Sequence, residues 1–198
     1  MANYVITISR EYGSGGRLIG QKLAEELGIA FYDKEIINLL VQESGLPQAT
    51  VEEWVEKKTP IAFYEVYMPI KERPVPDQIY LAKTRLIQNL AEKESCVIVG
   101  NCADYILKDH PACFNVFVHA PLEEKVKRVK EEYGDVVPNY EAHIRQIDKQ
   151  RAAYYNYFTM NKWGDRQNYH VSINSTVGID HAVKGIKYML EDFLDGEK

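Results

Sequence analysis

Three glycines close together, Gly13, Gly15 and Gly16, constrain the fold of this chain more than any other sequence feature. The apolar residues 4–8 before them predict a strand, and leucines at helical spacing in residues 18–27 after them predict a helix. A glycine-rich turn between a strand and a helix lets the backbone approach a ligand closely, and it points amide N–H groups and the positive end of the helix dipole towards that ligand. The turn therefore predicts a phosphate-binding site, with a plain tight turn as the alternative.

The turn departs from the P-loop pattern G-x-x-x-x-G-K-[ST] at the positions that carry chemistry. When residues 13–15 are set on the end of that pattern, Arg10 stands at the first glycine, Gly16 at the lysine and Arg17 at the hydroxyl position. A guanidinium on Arg10 or Arg17 would supply positive charge and bidentate hydrogen bonds to phosphate, but it cannot ligate a metal. The predicted phosphate contacts are Arg10, Gly13, Ser14, Gly15, Gly16 and Arg17.

The length and composition indicate one globular domain, which we place at residues 1–198, with 45% hydrophobic and 27% charged residues. The net charge of −5 excludes a global basic surface for a nucleic-acid polymer. Cys96, Cys102 and Cys113 have no C-x-x-C pair and no metal-ligand spacing with the histidines, which indicates buried thiols and no metal site. The chain lacks an apolar run of membrane-spanning length and a signal peptide, which favours a cytoplasmic protein with no membrane partner.

Strands alternate with helices along the rest of the chain. The continuous apolar run at residues 96–100 is typical of a parallel strand buried on both faces. Runs at 29–32, 114–120 and 170–174 predict further strands between helical stretches. Such alternation predicts an α/β fold in three layers, with helices on both faces of a central parallel sheet. Asp33 follows one of the strands, where it either lines the ligand crevice or caps the next helix.

Residues 60–76 break this alternation, because they combine aromatic and aliphatic residues with four prolines and show no sustained period. An apolar and irregular segment must be covered by something, so it either folds over the substrate or packs against a second subunit. Nothing in the segment resembles a phosphate or metal ligand, which favours a homodimer contact. We therefore interpret residues 46–76 approximately as an irregular insert of the domain that contributes to an acceptor site or to a dimer.

Arg145, Asp148 and Arg151 follow one another at intervals of three residues on a helix predicted from about residue 140. They share one helix face, where the carboxylate could orient both guanidiniums. Two arginines held in this way would form a clamp for the oxygens of a transferring phosphoryl group. Spacing alone favours an exposed ladder of ion pairs. The phosphate loop changes that interpretation, because loop and helix would form complementary halves of one site.

Several sequence blocks, in order along almost the whole chain, resemble one known family. The blocks are residues 8–17, 31–37, 97–100, 102–107, 148–151, 154–155, 163–165 and 168–174. Together they resemble the cytidylate kinase-like proteins, which belong with the nucleoside monophosphate kinases of the P-loop class, and Gly16 in place of lysine is part of the likeness. The resemblance implies an adenylate-kinase-like P-loop NTPase fold with a helical lid at about residues 125–160. It also implies Mg²⁺-dependent phosphoryl transfer from ATP to a nucleoside monophosphate such as CMP, or to a related small phosphorylated or hydroxyl acceptor.

The resemblance also implies roles for individual residues. True cytidylate kinases grip the acceptor phosphate with an arginine where this chain has Asn101, and they have an acidic residue where this chain has Val99. Asp33 or Asp104 is then left to hold a water of the metal. The predicted catalytic residues are Arg17, Asp33, Arg145, Asp148 and Arg151, of which Asp148 and Arg151 match the lid motif of cytidylate kinases. The predicted substrate contacts are Asn101, Asp104 and Arg128, and the resemblance places Asn174 where such folds contact the nucleotide base.

Three functions remain open from the sequence. The first is an active small-molecule kinase. The second is a catalytically impaired nucleotide- or phosphate-binding protein of the same fold, because Gly16, Val99 and Asn101 together remove three charges that the transfer normally uses. The third is a structural dimer with a vestigial loop.

Overall fold

A parallel sheet of five strands forms the centre of the fold in the computed structural model, which describes residues 3–51 and 75–196. The strands are β1 (Val5–Arg10), β2 (Ala30–Tyr32), β3 (Cys96–Val99), β4 (Cys113–His119) and β5 (Val171–Asn174). They lie in the order β2-β3-β1-β4-β5, so β1 is central and pairs with β3 and β4. Because every pairing is parallel, all strands end at the same edge, where such sheets bind ligands.

Helices cover both faces of this sheet. They are α1 (Gly16–Leu27), α2 (Glu35–Ser44), α3 (Val75–Lys93), α4 (Ala103–Ile106), α5 (Leu122–Arg128), α6 (Tyr140–Thr159) and α7 (Ile179–Gly196). Alternate strand residues face opposite layers, so Ile6 and Ile8 pack with α1 and α7, whereas Val5 packs with α2 and α3. The predicted three-layer α/β fold is confirmed.

The segment between α5 and α6 lies where the sequence predicts a helical lid. A π-helical turn, Val129–Tyr133, continues α5 and ends at Gly134, whose φ of 73° lies in the left-handed region. Asn139 then caps α6, because its side chain accepts a hydrogen bond from the backbone N–H of Ala142 at 3.0 Å. The described segment is therefore a short connection between α5 and α6, and its function as a lid stays a prediction.

Residues 52–74 lie outside the described part of the chain. Most of the predicted insert at about residues 46–76 falls there, so its role in an acceptor site or a homodimer stays a prediction. Within residues 3–51 and 75–196, no helix combines the length and the apolar character that a membrane span requires.

All three cysteines are buried and free, as the sequence predicts. Burial raises the pKa values of the Cys96, Cys102 and Cys113 thiols to about 12. A thiol with such a pKa stays protonated at neutral pH and is a poor nucleophile. The cysteines therefore serve as small apolar core residues.

Candidate functional site

The glycine-rich turn leaves the carboxyl end of the central strand β1 and leads directly into α1. Gly13 and Gly15 have φ angles of 78° and 81°, in the left-handed region that favours glycine. A Cβ on Gly13 would lie 2.8 Å from the carbonyl oxygen of Lys125, and one on Gly15 would lie 2.9 Å from Cδ1 of Ile179. The first amides of α1 have no acceptor within the helix, so this end of α1 suits an anion.

Arg10 occupies the space that a side chain at position 16 would need. A Cβ on Gly16 would lie 2.6 Å from Cβ of Arg10, and one on Gly100 would overlap Nη1 of Arg10. Two glycines thus make room for one arginine at the end of β1. Burial and the positive charge of Arg151 lower the pKa of Arg10 to about 9, while Asp33 opposes the shift, so the guanidinium stays protonated at neutral pH.

Asp33 lies at the crevice edge and pairs with two arginines. Nε of Arg17 donates to Oδ2 of Asp33 at 2.6 Å, and Nη2 of Arg10 lies 3.7 Å from Oδ1. The carboxylate is only 8% exposed. The alternative prediction that Asp33 caps the next helix is wrong, because Lys34 precedes α2 and no side chain caps this helix.

The predicted arrangement of Asp148 between two arginines is wrong. Oδ1 of Asp148 accepts a hydrogen bond from the backbone N–H of Tyr12 at 2.6 Å, and Oδ2 accepts one from Nζ of Lys125 at 2.9 Å. Both oxygens of the Asp148 carboxylate thus accept hydrogen bonds, one from the loop and one from α5. Arg145 is exposed and forms no hydrogen bond or ion pair with the residues that the structure describes.

Arg151 does reach the loop, by a direct contact with its backbone. Nη1 of Arg151 donates to the carbonyl oxygen of Arg10 at 3.0 Å, and its guanidinium carbon lies 5.4 Å from the centroid of the Tyr12 ring. Burial lowers the pKa of Arg151, and the charge of Asp148 opposes that shift. The structure thus brings the glycine-rich turn and one arginine of α6 together.

Lys125 makes a main contact of the loop that the sequence analysis does not predict. Its side chain is 8% exposed, and Nζ bridges Oε2 of Glu11 at 3.0 Å and Oδ2 of Asp148 at 2.9 Å. With Lys127, Arg128 and Lys130 close by in the sequence, Lys125 has the pattern of a basic surface. Leu122, Lys125 and Val129 follow one another at helical spacing, so Lys125 shares the inward-facing stripe of the two apolar residues. This spacing is the sequence feature that indicates its burial.

Replacing Lys125 with methionine is expected to lower the free energy of unfolding by about 3–5 kcal/mol, because it leaves two largely buried carboxylates without their cation. Urea denaturation measures the change. Lys127→Met is the matched control, since Lys127 lies on the same helix and is exposed. Equal midpoints for the two variants would contradict the assigned role of Lys125.

Two further side chains from the lid side cover the glycine-rich turn. Nη1 of Arg128 donates to the carbonyl oxygen of Gly13 at 2.8 Å. The Tyr133 phenol lies near the backbone of Gly15, which opposes the burial that raises the pKa of this phenol, and its ring meets the Tyr12 ring edge-on at 5.8 Å. A phosphate bound at the Gly15 backbone would therefore lie close to the Tyr133 phenol.

The remaining predicted site residues are held by local contacts. Nδ2 of Asn101 donates to the carbonyl oxygen of Val99 at 3.2 Å, at the end of β3. Oδ1 of Asn174 accepts from the backbone N–H of Thr176 at 3.1 Å and caps the turn after β5. Asp104 is buried and faces α6.

A cavity of about 490 Å³ opens beside the turn, on the side of the lid. Tyr12, His143, Ile147 and Arg151 line it together with two valines and Asp135. Its volume lies within the usual range of small-molecule sites. Arg151 thus faces both the loop backbone and an open space.

Comparison with known proteins adds the family. The model of the cytidylate kinase-like family matches residues 5–177. The chain belongs to the cytidylate kinase-like family. The cytidylate kinase of Ignicoccus hospitalis is 27% identical over 144 residues, which are 72% of this chain and 71% of that enzyme.

Solved structures extend the comparison of this cytidylate kinase-like chain to its fold. The crystal structure of an uncharacterised protein from Eubacterium ventriosum is 31% identical, with a TM-score of 0.72 over 96% of this chain and 99% of that one. Shikimate kinase from Acinetobacter baumannii in complex with shikimate is 19% identical, with a TM-score of 0.55 over 97% of this chain and 95% of that one. The predicted P-loop kinase fold is confirmed.

The acidic residues of this cytidylate kinase-like chain give Mg²⁺ few direct ligands. Within residues 3–51 and 75–196, no group of at least three His, Cys, Asp or Glu side chains could hold a metal. Mg²⁺ in phosphate sites usually needs only one or two carboxylates, with waters and substrate phosphates as its other ligands. Asp33, beside the loop, fits that arrangement through a metal-bound water.

Proposed function

We propose that this protein transfers the γ-phosphoryl group of ATP to a small acceptor, either a nucleoside monophosphate such as CMP or a related phosphorylated or hydroxyl compound. The observation that carries the proposal is the contact between the Arg151 guanidinium and the carbonyl oxygen of Arg10. It holds a cation against the turn whose amides and helix dipole suit a phosphate.

The charge balance of the turn supports the same proposal. Burial lowers the pKa of Arg10 most, and the positive charge of Arg151 lowers it further, so the two guanidiniums lie close to each other. An anion between two such cations would relieve their repulsion. The transition state of phosphoryl transfer is stabilised most by positive charge that is already in position, since the negative charge of the transferring group spreads over its oxygens.

Each residue then has a role in the proposed transfer. The amides of Gly13, Gly15 and Gly16 cradle the donor phosphates, and Arg10 supplies the charge that the missing lysine would give. Arg151 stabilises the transferred group. Asp33, fixed by Arg17, orients the acceptor or a water of the metal. Mg²⁺, when bound with ATP, neutralises part of the phosphate charge.

A second function, binding of a nucleotide without transfer, is favoured by the position of Tyr133. Its phenol lies near the backbone of Gly15, where a donor phosphate would bind. In this alternative the lid tyrosine competes with the ligand, and turnover is absent although ATP still binds.

An acceptor screen with the full chain separates the two functions. The protein is incubated with ATP and Mg²⁺ and with CMP, UMP, AMP, GMP or shikimate in turn, and phosphorylated products are measured by mass spectrometry. We expect a product with at least one acceptor, and its loss when Mg²⁺ is chelated. ATP binding by calorimetry without any product supports binding alone, and the absence of both contradicts each function.

A further inference from the structure

A buried lysine that has no carboxylate partner among the described residues lies next to the proposed phosphate site. Lys83 on α3 is 4% exposed. Its Nζ donates to the hydroxyl of Tyr154 at 3.0 Å, and no carboxylate of the described residues lies within ion-pair distance of it. An ammonium carries several N–H donors, and burying it without an anion is costly. Lys83 therefore has unused capacity to bind an acceptor atom.

A buried carboxyl group with one oxygen that lacks a hydrogen-bond donor lies nearby. Asp104 is 4% exposed, and its Oδ2 accepts a hydrogen bond from the hydroxyl of Tyr155 at 2.7 Å. Its Oδ1 is buried and has no hydrogen-bond partner. Native structures rarely leave a buried polar atom in this state. Asp104 thus has unused capacity to accept a hydrogen bond from a donor.

These two groups belong to one cluster, although they do not pair with each other. The charges of Lys83 and Asp104 both act on the thiol of Cys102, in opposite directions, so Cys102 lies near each of them. Their hydroxyl partners, Tyr154 and Tyr155, are consecutive residues of α6. We call these five residues the lysine–aspartate cluster.

The lysine–aspartate cluster adjoins the proposed phosphate site along two elements. On α6, Tyr154 follows Arg151 by three positions, which is about 4.5 Å along the helix axis. At the end of β3, Gly100 packs against the Arg10 guanidinium, and Cys102 lies two residues further on. The proposed phosphate site and the cluster therefore share α6 and the end of β3.

The backbone between these sites is strained. Asn101 and Cys102 have φ angles of 60° and 57°, which place two consecutive non-glycine residues in the left-handed region. A hydrogen bond of 3.0 Å from the backbone N–H of Ala103 to the carbonyl oxygen of Gly100 closes this turn. Strain of this kind persists mainly where function maintains it.

We infer that the lysine–aspartate cluster is the acceptor subsite, in which Lys83 and Tyr154 bind an anionic oxygen and Asp104 accepts a hydrogen bond from a hydroxyl or amino group of the same molecule. The inference rests on the proposed kinase function and narrows its substrate class to small phosphates or carboxylates that carry such a donor. Lys83 takes over the positive charge that Asn101 lacks. Tyr154 is partly exposed, whereas its hydroxyl is buried together with Nζ of Lys83.

The test compares the full chain with Lys83→Met and with the control Lys93→Met, which removes a 72% exposed lysine from the same helix. Steady-state kinetics with CMP and with shikimate give KM for the acceptor and, separately, for ATP. We expect Lys83→Met to raise the acceptor KM by about tenfold or more, as the loss of a charged hydrogen bond requires, while the ATP KM stays within about twofold. Lys93→Met should change neither value.

Stability and rescue distinguish binding from a structural role. Removing an unpaired buried charge should leave the Tm of Lys83→Met unchanged or raised, and Lys83→Arg should recover part of the acceptor affinity. An unchanged acceptor KM in Lys83→Met overturns the inference and leaves the kinase function intact. If the wild type shows no transfer, the kinase function fails and calorimetry with CMP and shikimate decides: binding weakened by Lys83→Met supports the subsite, whereas equal binding or none overturns it.

Discussion

Replacing Arg151 with methionine should lower kcat by about a thousandfold, because loss of a cation that stabilises a transferring phosphoryl group costs roughly three orders of magnitude or more. Methionine keeps the length of the apolar stem, so the packing against Tyr12 is largely preserved. The matched control is Lys149→Met, an exposed cation on the same helix, which should leave kcat unchanged.

The split between kinetic parameters makes the Arg151 result specific. An interaction made mainly in the transition state lowers kcat and kcat/KM together, whereas one made equally with bound ATP raises KM. We expect the first pattern and a Tm close to that of the wild type. A kcat within about threefold of the wild type would contradict the role of Arg151.

If Arg10 supplies the positive charge that a lysine at position 16 would otherwise supply, moving the cation from position 10 to position 16 should preserve turnover. Gly16→Lys alone should lower turnover by about a hundredfold or more, because its Cβ would lie 2.6 Å from Cβ of Arg10 and distort the turn. Arg10→Gly alone should lower turnover to a similar extent by removing the cation. The double variant Arg10→Gly/Gly16→Lys should recover much of the loss, since lysine then has room.

The exchange has a simple control in α7. A Cβ on Gly185 would meet nothing within 4 Å, so Gly185→Ala should leave turnover unchanged. A double variant that is no more active than either single variant would contradict the shared role of Arg10 and Gly16.

The fold follows from the sequence because its main determinants are local. The continuous apolar run at residues 96–100 indicated a strand buried on both faces, and β3 is such a strand, with all four of its residues buried. Gly28 has the left-handed φ of 64° and ends α1 as helix-capping glycines do. Such features depend on neighbours in the chain, which the sequence displays.

The site is less predictable, because its contacts join distant elements. Helical spacing placed Asp148 beside Arg145 and Arg151, but it could not show that the amide of Tyr12 and the ammonium of Lys125 would compete for the carboxylate. Arg151 was expected at the loop and lies there through a backbone carbonyl instead. Spacing identifies which residues share a face, whereas the partner depends on packing.

Lys83 illustrates an indication that the sequence did contain. It stands in the buried stripe of α3 between Ala82 and Leu86. A lysine on such a stripe either extends its charge to solvent or has a partner inside, and the sequence alone does not decide between them. The structure decides the point, because Lys83 ends at the hydroxyl of Tyr154.

The most direct measurement of the central claim is an NMR titration of the isotope-labelled protein with ATP. It follows the amide signals of residues 13–16 and the side-chain Nε–H signal of Arg151 together. If loop and guanidinium bind the same phosphate, both sets of signals will shift along curves with one common Kd. Loop signals that shift while Arg151 stays unchanged, or two clearly different Kd values, would contradict a shared anion site.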